Sequence, residues 1–355
     1  MTRLHLRVPL GIALFLAFAL PAAASYLSGS TSVNGGTIDW HARRHITTTL
    51  ALNDPLYLQV HAVPRPFYSG VPALIVNFSD GGSGICTGSL LADGVSILTA
   101  AHCLADRNGA LDATSVQAFF FPNDGGSALL ASSEVMFIHP SYTGSVFDDH
   151  DIAVIRLDSL MGSNFDRHQL YKGDAVGETF EVVGYGRRGQ GDTGATEDAG
   201  SRRRGLNEFD ALGEELLPLL GIPGADNVLM FDFDNGLDAN DAFGFWLGLE
   251  GSGLGIFESA TAPGDSGGPS FVDDRVAAVT SFGLTFTFTR NDGTVLTSDA
   301  LPGLNSSFGE FAGNTSVAYN ASWIESVMVP EPSTWMLMGF GALLLFVRRK
   351  ALARN

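Results

Sequence analysis

Cysteine is scarce in this 355-residue chain: Cys86 and Cys103 are the only two. With no second thiolate pair and no histidine cluster, a structural zinc module is excluded. Charge is scarce as well, at 16% of residues, and basic charge most of all, with 20 Lys and Arg against 38 Asp and Glu. Such a balance, formally −18, repels nucleic acid and anionic lipid. Helical charge-pair periodicity is thin, and there is no internal repeat or low-complexity block. The apolar run Leu10–Leu20 is shorter than the ~20 residues that span a bilayer, which argues against a retained N-terminal anchor. What the chain has instead is 43 Gly and 25 Phe, with Thr and Ser, a composition suited to short strands joined by turns. An all-β fold follows as the expectation.

Both ends read as processing signals. Arg3 and Arg7, the apolar run and Pro21-Ala22-Ala23-Ala24 have the layout of a secretory signal peptide over residues 1–24. At the far end Val329-Pro330-Glu331-Pro332 precedes the apolar stretch Trp335–Val347 and then Arg348-Arg349-Lys350. Basic residues after an apolar segment stay on the cytoplasmic side, so the body lies beyond the inner membrane. This order, over residues 328–355, resembles the PEP-CTERM sorting signal, which implies removal by an exosortase-type processing enzyme. A plain C-terminal transmembrane anchor is the alternative. The expected location is therefore periplasm, cell surface or extracellular space, with membrane contact only through the C-terminal segment. Six of the basic residues and none of the acidic ones lie in the signal peptide and the stretch from Trp335 onward, so the body without them carries −24. In an exported protein, two cysteines so placed suggest a disulfide between Cys86 and Cys103.

Residues 25–59 show little periodicity and read as an N-terminal extension or propeptide, containing Arg43-Arg44. From about Val60 short apolar runs alternate with turn residues, among them Ala73–Phe78, Val95–Thr99, Val135–Ile138, Ile152–Leu157, Val228–Phe233, Val276–Phe282 and Leu284–Thr289. The stretch Arg187–Gly255 is looser, with a helix expected at Glu208–Leu220, and reads as a surface insertion in a domain spanning 60–327. Ala321–Met328 reads as a short closing helix.

Three segments carry chemistry. Leu98-Thr99-Ala100-Ala101-His102-Cys103 puts a general base beside a cysteine at the end of a strand. Asp149-His150-Asp151-Ile152-Ala153-Val154-Ile155 puts an acid at the mouth of a buried strand. Pro263-Gly264-Asp265-Ser266-Gly267-Gly268-Pro269 puts a hydroxyl in a glycine-rich turn, whose N–H groups at Gly264 and Ser266 can converge on a developing oxyanion. A serine hydroxyl is a weak nucleophile until a base takes its proton, which a histidine does near neutral pH. Asp151 would hold the imidazole in one tautomer. His102 alone could be a core histidine, and Asp151 alone could cap a strand or pair with Arg156.

Together, the Ala-Ala-His-Cys, Asp-Ile-Ala and Gly-Asp-Ser-Gly-Gly-Pro segments resemble the trypsin/chymotrypsin-like serine peptidases. Ile138-His139-Pro140-Ser141-Tyr142, Gly184-Tyr185-Gly186, Ser281-Phe282-Gly283 and Trp323-Ile324 add to the likeness. The resemblance implies two six-stranded antiparallel β-barrels with a short C-terminal helix. It also implies a triad of His102, Asp151 and Ser266, no cofactor, and protein or peptide substrates. Ala260 falls at the base of the specificity pocket, where a neutral floor disfavours a charged side chain and implies cleavage after uncharged residues. Ser281 and Gly283 would pair with substrate backbone as an added strand.

The sequence departs from the family in lacking an Ile-Val-Gly-Gly start; the equivalent position falls near Val60-His61-Ala62-Val63. Asp265 is then paired by a new amine at Val60, neutralised by another cation, or accommodated without one. The missing start also feeds the rival reading, a peptidase-like binding protein without catalytic competence; an esterase with the same triad is a weaker rival. The acidic run Asp232, Asp234, Asn235, Asp238, Asn240 and Asp241 offers oxygen ligands for calcium, but a solvated strand edge and turn is the expectation, with no metal.

Overall fold

The structure, a computed structural model, describes residues 27–33, 36–43, 45–48, 68–122, 128–223, 225–251 and 253–328. The signal peptide, the Val60 region and nearly all of the sorting segment lie outside these residues. Among the described residues no helix is long and apolar enough to cross a membrane.

The all-β expectation holds, with short helices only among the described residues. In the N-terminal half, two four-stranded antiparallel sheets enclose one core. One runs Ser83–Thr87, Ala73–Phe78, Ala113–Phe120, Leu129–Ser133; the other runs Val135–Ile138, Ala153–Arg156, Ser96–Thr99, Ser89–Leu90. Leu74, Val76, Leu98, Val116, Phe120, Val154 and Ile155 fill the space between them. Each such side chain contributes about 1.5–3 kcal/mol by leaving water. The strands Ser96–Thr99 and Ala153–Arg156 pair Thr99 with Ala153, so the ends that lead to His102 and Asp151 emerge side by side.

The second half is built on a ten-stranded sheet whose spine is one long strand, Arg275–Arg290. The apolar runs Val276–Phe282 and Leu284–Thr289 thus form one strand, because Gly283 continues the extended backbone between them. Its partners are Pro269–Val272 and Phe311–Ser316 along its first part. Neither half closes into a continuous hydrogen-bonded ring in these pairings, and the site lies where the two halves meet.

Much of the Arg187–Gly255 stretch is built into this architecture. Arg203–Glu208 pairs with Thr179–Gly184, and Val228–Asp232 pairs with Phe311–Ser316. Its loose sequence texture conceals Arg203–Glu208, whose burial is set by its neighbour, while the apolar run Val228–Phe233 does form the strand Val228–Asp232. The helix expected at Glu208–Leu220 is confined to Gly213–Leu216 and a 3₁₀ turn at Leu217–Leu220, since Glu208 and Ala211–Leu212 are drawn into strands.

The N-terminal extension also enters the sheets. Gly36–Arg43 runs antiparallel along the outer part of the long strand, ending with Arg43 opposite Gly283. His45–Thr48 then pairs with Ser259–Ala262, Thr47 opposite Ala260. Periodicity missed these strands because backbone pairing with a distant edge leaves no local signature.

The closing helix spans Val317–Val327, four residues earlier in onset than its sequence boundary. Ser316 caps it, its side chain accepting from the Tyr319 N–H.

Candidate active site

His102 sits in a single 3₁₀ turn, Ala101–Cys103, directly after the strand Ser96–Thr99. The Cys86–Cys103 disulfide pins that turn to the strand Ser83–Thr87, so the imidazole hangs from a cross-linked corner. Asp151 is fully buried, with its Oδ1 accepting from the His102 N–H at 2.8 Å and its Oδ2 facing His102 Nδ1 at 2.5 Å. A carboxylate there holds the imidazole proton on Nδ1 and leaves Nε2 as the basic nitrogen. The His102 contacts, with a further bond from Ser281, hold the Asp151 carboxyl below its usual range, although burial alone pushes it up.

The Ser281 side chain takes a role that the sequence reading, which concerned only its backbone, did not assign. Its hydroxyl donates to Asp151 Oδ2 and lies within bonding reach of the Val146 carbonyl, making it a support of the acid through its side chain. The loop that carries Asp151 is clamped from the C-terminal half. Thr315 Oγ1 donates to the Asp151 carbonyl at 3.1 Å, and Asn320 Nδ2 donates to the Asp149 carbonyl at 2.8 Å. Asn320 Oδ1 also meets His150 Nδ1 at 2.9 Å, while the His150 ring stacks on His139. His150 thus braces the loop beside the acid. No sequence signal marks Thr315 or Asn320, since both act across more than 160 residues of chain.

Ser266 lies against the same corner. Its carbonyl accepts from the Thr87 N–H at 2.8 Å and lies 3.6 Å from Cys103 Sγ. The following Gly267 has φ +80, and a Cβ there would stand 2.0 Å from Thr99 Oγ1, so only glycine lets the turn approach the histidine strand. The Ser266 hydroxyl is buried and makes no hydrogen bond among the described residues. Within the turn, the N–H groups of Asp265, Gly267 and Gly268 are used in backbone bonds, whereas those of Gly264 and Ser266 enter none among the described residues. Thr87 Oγ1 fixes this turn by donating to the Gly264 carbonyl and accepting from the Tyr185 N–H.

Asp265 is fully buried, and Gly186 and Ala262 donate their N–H groups to its two carboxyl oxygens at 2.8 and 3.0 Å. Burial pushes its carboxyl well above the usual range, the Gly186 bond pulling the other way. Gly184 and Gly186 are needed to admit it, because a Cβ at either would fall within 2.1 Å of a carboxylate oxygen. The turn is ordered by backbone donors, and no salt bridge to Asp265 occurs among the described residues. The Val60 alternative lies outside them.

The two remaining residues of the expected substrate cleft are covered by the chain itself. Gly283 pairs with Arg43, and Ala260 is buried in a small apolar cluster with Phe233 and Phe308. The acidic run is corrected in part: Asp238 is exposed, but Asp232, Asp234 and Asp241 are buried, the Asp234 N–H donating to Glu258 just before the strand Ser259–Ala262.

Residues 66–200 match the trypsin family. The trypsin match takes in His102 and Asp151 and ends before Ser266. Residues 329–350 match the PEP-CTERM protein-sorting motif, which implies export and sorting to the envelope. No curated protein matches the chain. Among solved structures, an HL collagenase is similar at 19% identity, over 73% of this chain and 93% of that one, with a TM-score of 0.47. Neuropsin, a serine protease expressed in the limbic system of mouse brain, is similar at 21% identity over 76% and 97%, with a TM-score of 0.48. The chain thus joins a trypsin-like region to a PEP-CTERM sorting tag.

Proposed function

We propose that the chain is an exported serine endopeptidase that cleaves peptide bonds through an acyl-enzyme, with Ser266 as nucleophile, His102 as general base and Asp151 as its orienting acid. The observation that carries this reading is the Asp151–His102 pair with the Ser266 turn packed on its flank. His102 Nε2 takes the Ser266 proton as Oγ attacks the carbonyl carbon. The oxyanion is met by the free Gly264 and Ser266 N–H groups, and His102 returns the proton to the leaving amine. Water then repeats the relay on the ester. In apo sites such hydrogen bonds are commonly loose and tighten with substrate, which accommodates the unbonded Ser266 hydroxyl. The apolar surroundings of Ala260 favour an uncharged residue before the scissile bond.

In this reading residues 25–59 are a propeptide. The strand Gly36–Arg43 holds the edge at Gly283 that an extended substrate would otherwise add to, so its removal opens the cleft. The C-terminal tail anchors the chain until an exosortase-type enzyme removes it.

That same covered edge favours a second reading, a peptidase-like binding protein displayed at the envelope. An organophosphonate probe separates the two. The peptidase reading expects covalent labelling of Ser266, abolished in Ser266→Ala and stronger in chains lacking residues up to 43. No labelling in either form of a folded protein refutes it.

A further inference from the structure

Between the strand Val228–Asp232 and the helix Ala242–Leu247 the chain makes a loop that, with its flanks, buries three carboxylates. Asp232, Asp234 and Asp241 are only 3%, 5% and 9% exposed. One carboxylate oxygen from each lies within 4.8 Å of the others. Two of the three are anchored by backbone donors. Asp232 Oδ2 accepts from the Phe243 N–H at 2.8 Å, and Asp241 accepts from Gly244 at 2.6 Å and Gly251 at 3.1 Å. Asp234 differs: its Oδ1 is buried and has no hydrogen-bond partner among the described residues. Glu258, also buried, lies beside it and takes the Asp234 N–H. None of these acids enters a salt bridge among the described residues.

Several buried carboxylates without a counter-cation carry a desolvation cost of several kcal/mol per charge, and a bare buried acceptor adds to it. A divalent cation removes both penalties at once. We propose that Asp232, Asp234 and Asp241 form a calcium site, with the unpartnered Asp234 oxygen as a ligand. Oxygens about 4.8 Å apart or less can share an ion at the 2.3–2.6 Å of calcium–oxygen bonds. The donor set is all oxygen, with no imidazole or thiolate, which selects a hard cation over zinc. Calcium tolerates irregular, mixed coordination, whereas magnesium demands a near-ideal octahedron.

The loop is coupled to the cleft. Asn207 Nδ2 donates to the Asp232 carbonyl at 2.6 Å and to the Ser259 carbonyl at 3.0 Å, tying the cation loop to the strand Ser259–Ala262. Glu258 immediately precedes that strand, which continues through Ala260 to the Ser266 turn. Calcium would therefore stiffen the floor of the substrate pocket. That consequence rests on the peptidase reading, while the ion binding does not.

The test uses the exported chain stripped with EDTA, titrated calorimetrically with calcium chloride and, separately, magnesium chloride, alongside thermal melts. Expected are one equivalent of calcium bound and a melting rise of roughly 5–10 °C at a hundredfold excess over Kd. Asp234→Asn should lose calcium binding by about 100-fold or more while melting no lower than the stripped wild type, since it removes a buried charge. Asp238→Asn, at an exposed neighbour, should leave the response unchanged. No binding of either ion by the wild type, or unchanged calcium binding in Asp234→Asn, overturns the site; magnesium binding as tight as calcium overturns the choice of ion. Calcium binding without Ser266 labelling would leave the site standing and count against the peptidase alone.

Discussion

Asp265 offers a stringent test of how the nucleophile turn is held, through the substitution Asp265→Asn. The native carboxyl is fully buried, takes two backbone N–H groups and meets no described salt-bridge partner, and burial raises it well above the ordinary carboxylate range. The folded chain therefore keeps a proton that the unfolded chain gives up near pH 4. Stability from this group is fully present below that pH and drains away as pH climbs toward the raised folded value. One proton retained by the native state costs about 1.4 kcal/mol of stability for each pH unit in that window. Asparagine has no proton to retain. It keeps the acceptor for Gly186 but turns an N–H toward that of Ala262, a constant penalty of about 1 kcal/mol that does not vary with pH. Urea unfolding free energies measured at pH 5, 6, 7 and 8 should thus fall less steeply for Asp265→Asn than for the wild type, by about 1.4 kcal/mol per unit in the window. Both proteins should be stripped of metal. Parallel profiles would show that a cation neutralises Asp265 in the folded protein, and the backbone-donor account would be wrong.

Glu310, also fully buried and raised, should give the same sign of effect in Glu310→Gln, read from the same urea series. Ser281→Ala removes a charge-assisted bond to a buried carboxylate, so it should cost about 1.5–3 kcal/mol in unfolding free energy and reduce turnover of a peptide substrate. Gly264→Ala places a side chain at φ +104 with its Cβ 2.9 Å from Gly186 Cα, displacing the proposed oxyanion donor; on the peptidase reading kcat should drop about 10²–10³-fold while circular dichroism stays native. Replacing Cys86 and Cys103 together by serine frees a cross-link spanning 17 residues, and thermal or urea unfolding should register a loss of about 3 kcal/mol.

Strands whose neighbours are close in sequence were legible from alternation. Ala73–Phe78 and Val135–Ile138 fall where their apolar runs lie, each bounded by turn residues that the sequence itself displays. Arg203–Glu208 and the strands of the N-terminal extension were not, since they form by docking onto the edge of Thr179–Gly184 and onto the long strand Arg275–Arg290. The acidic loop misled for a related reason. A run of Asp and Asn reads as solvated until the fold turns Asp234 inward.

What the sequence determined by itself was local: which residue types stand next to a strand end or in a glycine-rich turn, and therefore the candidates His102, Asp151 and Ser266. Tertiary structure decided what faces them. Only packing of the two halves set the Ser281 hydroxyl on Asp151, brought Thr315 and Asn320 onto the acid's loop, and laid Arg43 opposite Gly283. Side-chain identity and turn chemistry are written residue by residue. Burial and pairing between segments more than a hundred residues apart come from the free energy of the whole chain, which no local pattern encodes.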